Sequence, residues 1–127
     1  MFVTSDGSAY SRFRRALLTG NLNLVDATAR ELPNIALDDA LRILRVMAAK
    51  QDPRFDRAAA RFAARAIHEL RLGLADARYV LALVEALAAS PDTIGELLRH
   101  VVAGAPSATQ PAAGATSRTI VSSSRTL

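Results

Sequence analysis

The feature that most constrains this chain is a helical spacing of apolar residues that is interrupted by capping residues, prolines and glycines. Asp52 and Ser90 each precede a proline, and a capping side chain followed by proline is typical of a helix start. Gly20 and Gly73 follow apolar runs and indicate breaks between helices. The spacing between these breaks predicts six helices, over residues 8–18, 22–32, 37–50, 53–70, 74–89 and 91–103.

The helix starts recur along the chain. Residues 37–40 (Leu-Asp-Asp-Ala) and 74–77 (Leu-Ala-Asp-Ala) match at an offset of 37, and both place an aspartate in a first helical turn. Asn21, Asp52 and Ser90 each precede the second helix of a pair. We therefore predict an all-α fold of three antiparallel helical hairpins. It is either a short stack resembling an α-solenoid or a compact closed bundle, and the pattern alone does not separate the two.

The predicted core follows from the apolar stripes. On the fourth helix, Phe55 and Phe62 share one arc with Ala59, Ala63 and Ala66. The fifth helix is the most apolar of the six, so we expect it to be the most enclosed.

Composition divides the chain into three parts. Residues 1–7 are predicted to be a flexible N-terminus, and residues 8–103 the helical domain. Residues 104–127 are rich in Ser, Thr, Ala and Pro, with too little apolar mass to offset the entropy of ordering, so we predict a disordered tail.

Charge and cysteine content argue against several protein classes. The formal net charge is +4, but Arg118 and Arg125 of the tail supply two of these charges, so the body is close to neutral. The chain has no cysteine, which excludes disulfides and thiolate metal sites. The longest apolar stretch, residues 79–89, is shorter than the roughly 20 residues of a membrane span. We expect a soluble, cytoplasmic protein with no membrane partner.

A row of basic residues on the fourth helix is the candidate binding surface. Its members occupy one narrow arc opposite the phenylalanines: Arg54, Arg57, Arg61, Arg65 and His68. Because guanidinium groups bind oxyanions with two hydrogen bonds, this basic row could contact an acidic protein or a phosphate backbone. The alternative is a solvated face that nearby aspartates neutralise, with Asp52, Asp56, Asp38 and Asp39 as candidates.

The remaining polar residues do not form a catalytic or metal-binding pattern. Glu85 lies within the apolar fifth helix without a second carboxylate at helical spacing, and is expected in an ion pair or facing solvent. His68 and His100 lie on different helices and lack the spacing of metal ligands. Arg12, Arg14 and Arg15 form a smaller basic cluster on the first helix. We therefore predict no enzyme, no cofactor and no metal.

Four segments of the chain carry a family resemblance. Residues 15–21 (Arg-Ala-Leu-Leu-Thr-Gly-Asn), 29–33, 37–41 and 52–59 resemble small all-helical proteins of high-GC bacteria, a group with no known activity. The resemblance covers the first four helices and implies an all-helical domain. It rests on caps and core residues, so it transfers no functional residue to this chain.

These observations favour a small non-enzymatic protein-interaction or scaffold module, since packed helical hairpins expose grooves and ridges that suit peptides or helices. The alternative is a binder of nucleic acid or another polyanion through the basic row. Alanine-rich helices also pack closely against one another, which allows a homodimer.

Overall fold

A computed structural model describes the backbone of residues 4–108 and the side chains of residues 9–104. Within this range the chain is all-helical, which confirms the predicted fold class. The six helices are α1 (Thr4–Thr19), α2 (Leu22–Ala29), α3 (Leu37–Lys50), α4 (Phe55–Glu69), α5 (Leu74–Ala86) and α6 (Pro91–Ala108).

Apart from α3, the observed helices begin or end a few residues away from the predicted bounds, which is the usual uncertainty at helix ends. Helix α2 ends at Ala29 rather than 32, because residues 30–32 form tighter turns before Pro33. Helix α5 ends at Ala86 rather than 89, where the N–H of Ala89 bonds the carbonyl of Ala86. Helix α1 begins at Thr4 and α6 extends through residues 104–108. Residues 4–7 of the predicted flexible N-terminus (residues 1–7) and residues 104–108 of the predicted disordered tail (residues 104–127) are therefore helical. The rest of both segments, residues 1–3 and 109–127, lies outside the described residues.

The caps that start the second helix of each pair are formed in two different ways. Asn21 caps α2 as predicted, because its Oδ1 accepts a hydrogen bond of 3.2 Å from the N–H of Leu24. Helix α6 begins at Pro91, directly after Ser90, as the cap-and-proline pattern predicts. Asp52 instead accepts the N–H of Arg54 at 2.7 Å, so a turn precedes α4 and the helix begins at Phe55.

Helices α3 to α6 form a closed ring around the main core. Helix α3 packs against α4 and α6, and α5 packs against the same two helices. An open stack of hairpins would leave α3 and α6 apart, so this contact decides for a compact bundle. The main core consists of fifteen buried residues: Leu37, Leu41, Leu44, Met47, Ala48, Phe55, Ala59, Phe62, Ala63, Ala66, Val80, Leu83, Val84, Leu87 and Leu98.

The α1–α2 hairpin has a smaller core of its own. Phe13, which is fully buried, packs with Ala16, Leu17 and Val25. This cluster contacts partly buried side chains of α3, including Ile43. The hairpin therefore docks on one side of the ring and does not belong to it.

The expectation that the fifth helix is the most enclosed is wrong. Only Val80, Leu83 and Val84 of α5 are buried, whereas Leu74 is 75% exposed and Leu81 48% exposed. In a ring of four helices each member shows one face to the core and the opposite face outward. The apolar composition of α5 therefore does not mean that all sides of this helix are buried.

Candidate functional site

The structure divides the basic row into residues that hold the fold together and residues that remain available. All five lie on or just before α4, on the side away from Phe55 and Phe62. Arg65 is half-buried, whereas Arg54, Arg57, Arg61 and His68 are exposed. The five side chains differ in the hydrogen bonds and ion pairs that they form.

Arg54 is committed to contacts within the chain. Its guanidinium donates hydrogen bonds of 3.0 Å to both carboxylate oxygens of Asp52 and a further bond of 3.0 Å to Asp26 of α2. Hydrogen bonds from Arg54 hold the pKa of Asp52 below its ordinary value, and the bonds to Asp52 and Asp26 raise the pKa of Arg54. Arg54 thereby joins the start of α4 to α2.

Arg65 is also occupied. Its Nε donates to Glu69 one helical turn later, and another guanidinium nitrogen donates to the backbone carbonyl of Ile35. Ile35 lies in the connection between α2 and α3, outside any helix. Arg65 therefore supplies a hydrogen-bond donor to a loop carbonyl that has no partner within a helix. The role of Arg65 is therefore to position this connection against α4.

Arg57, Arg61 and His68 form no ion pair with any residue in the described part of the chain. Of the aspartates predicted to neutralise the row, Asp52 does so, but Asp38 and Asp39 bind Arg42 of their own helix. The available part of the row is thus two arginines and one histidine along one exposed face.

An apolar groove between α3 and α4 runs beside these arginines. We call it the α3–α4 groove. Its volume is about 230 Å³, and its lining residues are Ile35, Ala40, Ile43, Leu44, Met47, Ala58, Arg61, Phe62 and Arg65. Small-molecule sites usually measure roughly 300–1,000 Å³. The groove is therefore suited to a bulky apolar side chain of a partner rather than to a whole small ligand.

Sequence reasoning did not find this groove, because three separate segments line it. One signal was present: Ile43 is a large apolar residue of the third helix, yet it lies outside the apolar stripe that the sequence predicts there, which consists of Leu37, Ala40, Leu41, Leu44 and Met47. The structure leaves it half-buried between the main core and the α1–α2 hairpin. Ala58, also half-buried, lies on the facing side of α4.

A second hollow, of about 390 Å³, lies between α1 and the start of α3, and Asp39 is its most notable residue. The Asp39 side chain is buried and accepts hydrogen bonds from the Tyr10 hydroxyl at 2.9 Å and from Arg42 at 2.8 Å. Burial lowers the pKa of Arg42, but bonds to Asp38 and Asp39 outweigh it and raise this pKa overall. One Asp39 oxygen thus joins α3 to Tyr10 of α1, and the other binds Arg42 of its own helix.

The other polar residues noted in the sequence are dispersed over the surface. Glu85, His68 and His100 are exposed, and Arg12 and Arg14 of the first-helix cluster contact Glu31 and Tyr10. The described residues include no group of three histidines, aspartates or glutamates that could hold a metal ion. Within the same range, no helix is long and apolar enough to cross a membrane.

Comparison with known proteins returned no matching family model, no similar curated protein and no similar solved structure. The resemblance to small helical proteins of high-GC bacteria therefore stays a prediction from the sequence. Function has to be argued from the surface of the chain itself.

Proposed function

We propose that the protein is a non-enzymatic interaction module whose α3–α4 groove receives an apolar side chain of an acidic, amphipathic partner segment. The observation that carries this proposal is the position of Arg61, an exposed arginine without an intramolecular ion pair among the described residues, at the border of an apolar groove. Helix-in-groove recognition combines an apolar anchor with flanking charges in this way.

The charges around the groove favour an acidic partner. Arg57 lies one helical turn before Arg61 on α4, so the two guanidinium groups extend along the same edge. A partner helix with an apolar residue in the groove and carboxylates one turn apart would pair with both. Such rim charges guide association and specificity more than they add affinity.

The test is a selection of peptides from a random display library against the immobilised full chain. We expect enrichment of peptides that combine an aliphatic or aromatic residue with acidic neighbours. Ala58→Arg, which places a long side chain across the groove, should weaken binding of a selected peptide at least tenfold, since it removes the anchor site. Arg57→Glu with Arg61→Glu should also weaken it.

Ala60→Arg is the matched control, because Ala60 is exposed, lies about 160° around α4 from Ala58 and does not line the groove. It adds the same side chain to the same helix and should leave peptide affinity unchanged. Equal binding by the wild-type chain and the Ala58→Arg variant would contradict the proposal. Far-UV circular dichroism of both variants checks that they remain helical.

A second candidate function is the binding of a polyanion by Arg57, Arg61 and His68, and the exposed run of these side chains supports it. With Arg54 and Arg65 engaged elsewhere, about two phosphate contacts remain. Affinity for duplex DNA or RNA would then fall with a slope of only roughly −2 in log salt concentration. A labelled duplex titrated at two salt concentrations measures this slope, and absence of binding at low salt would discard the candidate.

A further inference from the structure

The outward side of α5 carries an uncovered apolar strip. Leu74 and Leu81 are 75% and 48% exposed, and Ala88, just after this helix, is exposed as well. Exposed apolar side chains that adjoin one another can mark an interaction site. This face lies on a different helix from the α3–α4 groove, so a role for it does not depend on the proposed function.

The position of Leu74 at the start of the first helix of a hairpin does not by itself explain why Leu74 is exposed. Leu37 holds the matching position at the start of α3, and it is only 8% exposed because the main core covers it. Leu74 begins α5 in the same way but has no covering layer. The difference indicates that the last hairpin lacks a neighbour that the preceding one has.

The residues of this face follow a seven-residue spacing. Leu74 and Leu81 lie within about 20° of each other around the helix axis, because seven residues make nearly two turns, and Ala88 continues this line in the turn that follows α5. Arg78 and Glu85 follow the same spacing on an adjacent line. The face is thus an apolar strip with one positive and one negative charge along its border.

Neither charge has a partner in the described part of the chain. Arg78 and Glu85 are exposed and form no ion pair there. They do not pair with each other, since seven residues of helix separate their backbones by about 10 Å. Each is therefore available to a charge of opposite sign on another molecule.

We propose that a second copy of this chain covers the strip, with the two α5 helices antiparallel. The midpoint between Arg78 and Glu85 falls between Leu81 and Ala82. A two-fold axis there brings each Arg78 opposite Glu85 of the other copy, and the two Leu81 side chains meet near the axis. The same axis places each Leu74 level with Ala89 of the other copy and next to Ala88, so a large residue faces two small ones.

The charges determine the direction of this pairing. A parallel arrangement would bring Arg78 against Arg78 and Glu85 against Glu85, and like charges at close range oppose association. The interface is one short helix from each copy, which is below the size of an obligate dimer. We expect a dissociation constant on the order of micromolar.

The experiment measures the molar mass of the full chain by sedimentation equilibrium over a range of concentrations. The wild-type chain should shift from monomer to dimer. Leu81→Glu should abolish this shift, whereas Leu18→Glu, which alters an 87% exposed leucine of α1, should leave it intact. Both positions are exposed, so the variants are expected to fold, and circular dichroism verifies their helix content.

Charge exchange tests the geometry itself. Arg78→Glu alone and Glu85→Arg alone should each raise the dimer dissociation constant roughly tenfold or more, because each places like charges in contact. The double variant Arg78→Glu/Glu85→Arg should restore dimerisation, and an equimolar mixture of the two single variants should form a heterodimer.

Three results would overturn the proposal. The first is a wild-type chain that remains monomeric at every concentration, as it would if residues 105–127 covered α5. The second is dimerisation that survives Leu81→Glu. The third is a double variant that fails to recover, which would show an interface with another geometry.

Discussion

At the scale of single residues, two aspartates in equivalent helix positions have different roles. Asp39 and Asp76 are each the third residue of their helix, where a carboxylate interacts favourably with the unpaired N–H groups. Asp39 is 3% exposed and holds both Tyr10 and Arg42, whereas Asp76 is exposed. The difference arises because α1 lies over the start of α3 and brings a tyrosine hydroxyl to it.

We therefore expect Asp39→Ala to lower the free energy of unfolding by about 1–3 kcal/mol, because it leaves the Tyr10 hydroxyl and Arg42 without their acceptor. Asp76→Ala is the matched control and should cost at most about 1 kcal/mol, the helix-end contribution alone. Urea unfolding followed by circular dichroism measures both. Equal losses for the two variants would show that the buried hydrogen bonds contribute nothing to stability.

At the scale of helices, the α3–α6 contact that closes the ring depends on a glycine. Arg45 of α3 passes over Gly95 of α6 and reaches Glu96 at 3.2 Å and Asp92 at 4.0 Å. A Cβ at Gly95 would lie 2.7 Å from the Arg45 Cζ, too close for normal contact. Hydrogen bonds from Arg99 and Arg45 lower the pKa of Glu96, so the carboxylate stays ionised here.

A double-mutant cycle should reveal this dependence. Glycine in a helix interior costs roughly 1 kcal/mol relative to alanine. Gly95→Ala should therefore stabilise an Arg45→Ala variant by up to about 1 kcal/mol. In the wild-type background, Gly95→Ala should stabilise the protein less, or destabilise it, because Arg45 must move away from Glu96 and Asp92. Thermal unfolding of the four proteins gives the coupling, and additive effects would contradict the close Arg45–Gly95 packing.

At the scale of the whole molecule, the two cores of unequal size indicate that the α1–α2 hairpin is less stable than the ring of α3–α6. The ring of α3–α6 buries fifteen core residues, whereas the α1–α2 hairpin buries four and reaches α3 at its edge. The Tyr10–Asp39 and Arg54–Asp26 contacts add a few polar links across the boundary. Such a hairpin can open without disturbing the ring.

Native-state hydrogen exchange should detect this order. We expect backbone amides of α2 to exchange through a lower-energy opening than those of α3 and α4. Arg54→Ala removes one link to α2 and should accelerate exchange there, with little effect on α4 beyond its first turn. Uniform exchange from all helices at the global unfolding free energy would mean that the hairpin and ring unfold together.

The amino-acid sequence by itself determined the number and phase of the helices. Six helices were predictable, and α3 was predicted to its end residues, because apolar spacing and caps such as Asn21 act over about four residues. The phenylalanine side of α4 was predictable for the same reason. The predicted basic row also lies on the face that the helical wheel indicates.

Only the tertiary structure decided which of these surfaces remain available. Arg54 meets Asp26, 28 residues away, and Arg45 meets Glu96, 51 residues away; no local pattern encodes such pairs. The α3–α6 contact closes the bundle and leaves Leu74 and Leu81 of α5 exposed on its outer side. Helix formation depends on neighbours along the chain, whereas exposure depends on which helices pack together. The physical basis of both proposed surfaces therefore lies in packing.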